Sequence, residues 1–506
     1  MYRTYLVFTL AALVGWTLEL HADKPSTLAD ALALEKAVQD AIQQAEPSIA
    51  CILVSRSEAY RELFRDQPPP DKPGQLGAFN RSQLLHRSRP FHRADDFQKE
   101  EILRKKCDLA DPDTVPEAYG SGVVIDDQEL LILTNYHVIR DATKIYVRLP
   151  GKPGSYADIH AADPRSDLAV LRLLDKNVRP IHKLKMGDGG SVRKGQFVIA
   201  LANPFAAGFR DGSPSASWGI VSNLQRRAAA DSEDDKQNTP LHVHPILLQT
   251  DARLNLGCSG GALLNLQGEL IGLTTSRAAI NGSETAGGFA IPVDMNVRRI
   301  IARLREGREV EYGFLGVGPA TGARAGDAFR IGAVTPGSPA EKALLSPGES
   351  ILAVNGARVH DFEDLVLMIG TLMAGSEVHL KVQVDHEHAR EVSVKLAKFY
   401  VPGKSIASNR PSMARGIRVD YASVLLLRPP SQGQRIPEGV VVSELQTGSA
   451  AAAKLRVNDV ITHVKVGDGF LPISSPDEFY REVAKLKPRE PLWLSLLNSP
   501  EPVRID

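Results

Sequence analysis

Three side-chain types in one stretch of the chain could together carry out acyl transfer at a carbonyl: a hydroxyl, an imidazole and a carboxylate. Ser259 stands in Gly257-Cys258-Ser259-Gly260-Gly261, where glycines let the backbone bend sharply and aim N–H groups into one small volume. Ser259 is the candidate nucleophile. The backbone of Gly257, Cys258 and Ser259 is the candidate oxyanion hole, with the N–H groups of Gly257 and Ser259 as donors. His137 follows Leu131-Ile-Leu-Thr134-Asn135-Tyr136 at the end of an apolar run and is the candidate general base. Asp167, in the polar turn Asp163-Pro-Arg-Ser-Asp167 ahead of Leu-Ala-Val-Leu, can sit beneath an imidazole and fix its tautomer. Each residue alone has an ordinary alternative: a turn serine, a hydrogen-bonded histidine, a turn-forming aspartate. Cys258 is a rival nucleophile, but the glycines then fall one place too late. Together, in the order His, Asp, Ser, the three signals carry weight that none has singly.

The elements that must position them are short. Between about Gly120 and Ile300 apolar or alternating runs recur between Gly, Pro, Asp and Asn, as in residues 122–125, 130–134, 145–149, 168–173, 197–202, 263–266 and 270–275. Such spacing is that of a β-barrel or sandwich. Ahead of it, Leu28, Leu32, Leu34, Val38 and Ile42 recur at helical spacing, so a helix over 28–45 precedes a buried strand over 48–55. His137 is then expected at a strand end, with a turn over 138–141. The proline-rich, charged residues 57–116 read as a long surface insertion, and 226–240 as a polar loop.

With 506 residues the chain needs several cores. Lys plus Arg equals Asp plus Glu at 60 each, so no overall field recruits nucleic acid, and no nucleic-acid partner is expected. Residues 5–16 carry no charge and fall short of the roughly twenty a spanning helix needs, so residues 1–22 read as a secretory signal peptide with no stable membrane span after cleavage. Three cysteines, Cys51, Cys107 and Cys258, allow at most one internal disulfide.

Beyond Val310 the sequence repeats at domain length. Gly316-Val317, Gly337-Ser-Pro-Ala340 and Ile351-Leu-Ala-Val-Asn-Gly356 align with Gly416-Ile417, Gly448-Ser-Ala450 and Asp459-Val-Ile-Thr. The expected division is 23–303 for the barrel region, 311–400 and 413–506 for the two repeats, and 401–412, rich in Pro, Gly and Ser, for a linker.

Thr134-Asn135-Tyr136-His137-Val138, Asp167-Leu-Ala-Val170, Asn203-Pro-Phe205, Gly219-Ile-Val-Ser222, Thr250-Asp-Ala252, Gly257-Cys-Ser-Gly-Gly261 and Gly288-Phe-Ala-Ile-Pro292 occur in that order. In these motifs the chain resembles the HtrA, or Do-like, serine proteases, from the helix at residue 28 to the C-terminus. Cys258 stands where that family has Asn, Leu256 where Pro is frequent, and Ala262 where Pro is usual. The resemblance implies a mainly β fold, a chymotrypsin-like double β-barrel followed by two PDZ domains. It also implies an exported, periplasmic or extracellular, ATP-independent endopeptidase acting on unfolded or misfolded protein and peptide substrates, and a homo-oligomer built on trimers. No cofactor or metal is implied. Substrate would pair as a strand beside Leu273-Thr274-Thr275, with Leu254 and Leu273 favouring a small or aliphatic side chain. A PDZ domain seats a chain terminus in the N–H groups of a glycine loop: Phe314-Leu315-Gly316-Val317 fits that loop, Gly416-Ile417 takes its place in the second module, and residues 361–370 would wall the first groove as a helix. A catalytically idle chaperone or PDZ-based binding protein, and a protease with one regulatory substrate, stay open as alternatives.

Overall fold

The computed structural model describes residues 28–56, 108–111, 114, 116–226, 247–275, 287–320, 329–383, 388–401, 406–425, 435–467, 469–487 and 490–506. The expected signal peptide, most of the 57–116 insertion and nearly all of the 226–240 loop lie outside the described residues.

Helix α1, Leu28–Ala45, has the bounds its periodicity implies. Only its second half is packed: Ala41 and Ala45 are buried with Val38 and Ile42 against the central core, whereas Leu28 and Leu32 are 76% and 51% exposed. Six strands follow, β1 (Ile49–Ser55), β2 (Ala118–Asp126), β3 (Leu131–Asn135), β4 (Lys144–Arg148), β5 (Ser155–Asp163) and β6 (Leu168–Leu173). They pair in the order β5-β4-β1-β2-β3-β6 and close through β5 and β6. Between β3 and β4 the expected turn is a single helical turn, α2 (Tyr136–Ile139), and His137 lies on it. A second closed barrel holds β7 (Phe197–Ala202), β8 (Ser215–Arg226), β9 (Leu247–Thr250), β10 (Ala262–Leu264), β11 (Leu270–Thr275) and β12 (Gly288–Pro292). Closure removes sheet edges and buries alternate side chains inside.

One apolar cluster joins the barrels, running from Val123, Leu131 and Val170 to Ile199, Leu264 and Leu273. Helix α3, Met295–Arg305, starts where the Asp294 carboxylate accepts from Val297 N at 2.8 Å, and buries Val297, Ile300, Ile301 and Leu304 on one face in the same cluster. The end of the expected surface insertion is docked: Leu109 packs with Cys51, Leu53 and Tyr146, and Tyr156 donates to Asp108 at 2.6 Å.

Each repeat is a sheet with its own core. The first has strands Val317–Pro319, Phe329–Val334, Ser350–Val354, Glu377–Gln383 and Ala389–Lys395 with helix α4 (Phe362–Gly370). The second has Ile417–Tyr421, Val440–Leu445, Val460–Val466, Leu492–Leu496 and Val503–Ile505 with helix α5 (Pro476–Ala484). The fold is therefore mainly β, two six-stranded barrels followed by PDZ-like sheets. The connection between the sheets is fastened to the first barrel, because β4 pairs with β5 only at Ser155 and Tyr156, leaving the edge of β5 further on open. Ile406 and Ala407 fill it opposite Ala162 and Ala161, and Ser408 Oγ lies 2.7 Å from His160 Nδ1. Among the described residues no helix is long and apolar enough to cross a membrane.

Candidate active site

Antiparallel pairing of β3 with β6 runs to Asn135 opposite Leu168, so the residues flanking those strand ends emerge side by side. Asp167 has φ +52°, a left-handed conformation that carries strain for a non-glycine residue. Its carbonyl accepts from Tyr136 N at 2.9 Å and Asn135 Nδ2 at 3.1 Å. Its carboxylate grips His137 twice: Oδ1 accepts from the backbone N at 2.9 Å, and Oδ2 lies 2.7 Å from Nδ1. A carboxylate only accepts, so Nδ1 carries the proton and Nε2 of the neutral ring keeps its lone pair. The two side chains are 23% and 8% exposed, which leaves the imidazole edge reachable and the carboxylate shielded.

The Ser259 turn docks on the same side. Ser259 O accepts from Ser121 N at 2.8 Å. Gly120, just before it on β2, is wedged: a Cβ there would lie 2.6 Å from Val138 and 3.2 Å from Ser259 O. The turn is thus held one residue's width from the helical turn that bears His137. Gly260 has φ +85°, and a Cβ would lie 2.1 Å from Ser121 O, so only glycine fits. Gly257, at φ +93°, lies against Asn203 O and Phe205 N in the same way. Cys258 N donates to Asn255 O at 3.0 Å. That bond commits the Cys258 N–H to the turn and removes it from the expected oxyanion hole, leaving Gly257 and Ser259 as the candidate donors. Burial pushes the Cys258 thiol up, against a smaller opposing effect of the Asn255 N–H, so it is a poor thiolate source at neutral pH.

Ser121, which the sequence reading did not single out, ties this together. It is fully buried, its hydroxyl donates to Gly257 O at 2.7 Å, and it accepts from Asn203 N at 2.8 Å. A small hydroxyl residue between two glycines was its only sequence signal.

The expected substrate residues are placed unevenly. Leu273 is 1% exposed, in the core between the barrels, and pairs with Ala262 on one side and Ile291 on the other. Thr274 N donates to Gly261 O and its carbonyl accepts from Gly260 N. Neither can receive an added strand, because barrel closure has already used both flanks. Thr275 ends β11, bordering residues outside the described set, and Leu254 packs over Gly288. The expected carboxylate loops stand apart from this cluster. Gly316 and Gly416 have φ +90° and +79°, each against a serine, Ser338 and Ser449, and their carbonyls accept from Thr335 N and Gln446 N, so the two loops are built alike. Phe314 pairs with Ala397, and Leu315 O accepts from Ala340 N. In the second module Ala414 and Ile417 bond each other, and Val419 N donates to Tyr480 Oη of α5 at 3.3 Å.

Residues 120–273 match the family model of the trypsin-like peptidase domain, and residues 313–396 that of the PDZ domain. The periplasmic serine endoprotease DegP of Escherichia coli strain K12 is 33% identical over 354 residues, covering 68% of this chain and 68% of that protein. This chain belongs to the HtrA/DegP-like serine protease family. The periplasmic pH-dependent serine endoprotease DegQ of the same strain is 32% identical across 71% of this chain and 74% of its own length. A DegP-like protein of Pseudomonas fluorescens is 30% identical over 88% of each. As a member of the HtrA family the chain is a serine endopeptidase, and protein is its substrate class.

Proposed function

We propose that this HtrA-family chain is an exported, periplasmic, ATP-independent endopeptidase that clears unfolded or misfolded proteins, with Ser259 as nucleophile, His137 as general base and Asp167 as the group that orients it. The observation that carries this is the double grip of Asp167 on His137 N and Nδ1, at the barrel end where the Ser259 turn docks. In the reaction Ser259 Oγ attacks the scissile carbonyl while His137 Nε2 takes its proton. The N–H groups of Gly257 and Ser259 receive the oxyanion, and the imidazolium, stabilised by Asp167, returns the proton to the leaving amine. Water then cleaves the acyl-enzyme by the same steps in reverse. Substrate strand addition begins at Thr275, with Leu254 lining the side-chain pocket.

The same reading assigns 1–22 to a signal peptide, 23–303 to the protease, 311–400 and 413–506 to PDZ modules that bind peptide termini and regulate access, and 401–412 to their connection. The trimer-based homo-oligomer is supported by exposed apolar surface among the described residues: Phe197 and Trp218 stack at 5.6 Å between centroids, 38% and 55% exposed, and Leu28 and Leu32 of α1 are 76% and 51% exposed. Ser259→Ala tests the central assignment. It should abolish casein digestion with folding unchanged; a folded variant that still digests casein removes Ser259 from the mechanism.

A further inference from the structure

The turn that carries Asp167 rests on the root of the first PDZ domain. Arg165, two residues before Asp167, is 5% exposed, and its guanidinium is sandwiched between two rings, 4.3 Å from the Tyr312 centroid and 4.5 Å from that of Phe399. Neither ring belongs to a barrel. Tyr312 precedes the Gly313-Phe314 strand as the chain enters the PDZ domain, and Phe399 follows the Ala397-Lys398 strand that pairs with it as the chain leaves. Phe399 N donates to Tyr312 O at 2.7 Å, which ties together the two chain segments that carry the rings. The guanidinium also reaches the last residue of α4, since a Cβ on Gly370 would lie 3.0 Å from Arg165 Nη2. Beside it Tyr312 Oη donates to Asp163, whose carboxylate accepts from Ser166 N at 2.9 Å. All of residues 163 and 165–167 are buried, so this turn has no solvent to fall back on. It must still hold Asp167 at a positive φ with both carboxylate oxygens on His137.

We infer that Arg165 is a positioning residue for Asp167, and that Tyr312 and Phe399 of the first PDZ root are the floor against which it holds the 163–167 turn. A planar cation between two ring faces is fixed in tilt and height, which a flexible ammonium is not. The carboxylate loop that starts at Phe314 and the helix α4 therefore share a rigid base with the turn that orients His137. This rests on the triad reading above, and the test separates the two.

The test uses the full-length chain, a short amide-capped chromogenic peptide and a fluorophosphonate probe. Arg165→Lys should lower kcat by about tenfold or more, because small misplacement of an orienting group is amplified in the rate, with KM within about twofold. Phe399→Leu removes one ring without changing any residue of the turn and should lower kcat in the same direction. Tyr312→Phe keeps its ring and loses only the hydroxyl, and should retain most of the activity that Tyr312→Ala loses. Probe labelling of Ser259 should slow in parallel with kcat. If Arg165→Lys does not fold, Phe399→Leu carries the test. Wild-type kcat in Phe399→Leu, or a loss confined to KM, overturns the positioning role. Failure of the probe to label wild-type Ser259 instead overturns the triad reading on which it rests.

Discussion

Replacing Asp167 by Asn keeps the shape of the side chain and inverts its chemistry. The carboxylate now accepts from His137 N at 2.9 Å and faces Nδ1 at 2.7 Å. An amide has one accepting oxygen for these two partners. If that oxygen stays on His137 N, the NH2 group faces Nδ1, which must give up its proton, and Nε2 becomes the protonated, non-basic nitrogen. If the amide turns over, the His137 N–H is orphaned instead, at about 1–2 kcal/mol. In either case the imidazolium loses its anionic partner, worth about 4 kcal/mol at about 4 Å between charge centres in an effective dielectric near 20. Loss of that stabilisation raises the barrier by about 4 kcal/mol, a fall in kcat of about a thousandfold. Stability should change by only about 1–2 kcal/mol, because the Asp167 carbonyl keeps its bonds from Tyr136 and Asn135 and the β3–β6 register is untouched. Steady-state cleavage of a fluorogenic peptide at neutral pH, with near-ultraviolet circular dichroism as the folding control, measures both. A folded Asp167→Asn protein with kcat within tenfold of wild type would show that Asp167 does not set the His137 tautomer.

Other expectations follow from the same contacts. Ser121→Ala leaves Gly257 O and Asn203 N buried without their shared partner, and should cost about 2–4 kcal/mol in chemical unfolding together with a fall in kcat; unchanged kinetics would mean that the hydroxyl does not hold the oxyanion turn. Phe197→Ser with Trp218→Ser should reduce the mass seen by light scattering to that of smaller species while the barrels stay folded, and an unchanged mass would exclude the stacked pair as an assembly surface. Burial raises the Asp158 carboxyl to about 6, with nearby Lys144 offsetting part of the effect. A folded-state value above the unfolded 3.8 makes the contribution fully favourable below about pH 4 and lost as pH rises through about 6. Asp158→Asn should therefore stabilise the protein at pH 7.5, by about 1–2 kcal/mol after solvent screening, and hardly at all at about pH 3. Equal effects at both pH values would contradict this.

Much of the site was legible because strand ends and glycine turns announce themselves locally. The apolar run before His137, the polar turn before β6 and the glycines around Ser259 each have a direct physical signature, and α1 was bounded by its period. What stayed hidden depends on closure in three dimensions. Leu273 reads as a pocket residue in sequence, but pairing with β10 and β12 turns it into the core. Strand β8 contains Gly219, Ser222 and Asn223, with no clean alternation, and is held by β7 and β9 rather than by its own propensity. Residues 406 and 407 look like free linker until the open edge of β5 is seen. The Asn255 O that commits the Cys258 N–H to the turn has no local signature either. Arg165 reads as one more turn residue, since its two rings lie far along the chain.

The most direct test of Ser259 as an activated nucleophile is intact-mass and peptide-mapping analysis of the full-length chain after reaction with a fluorophosphonate. One adduct, on Ser259, lost in His137→Ala, is the expected result. An unlabelled Ser259 in protein that still cleaves peptide, or an adduct on another residue, would contradict it.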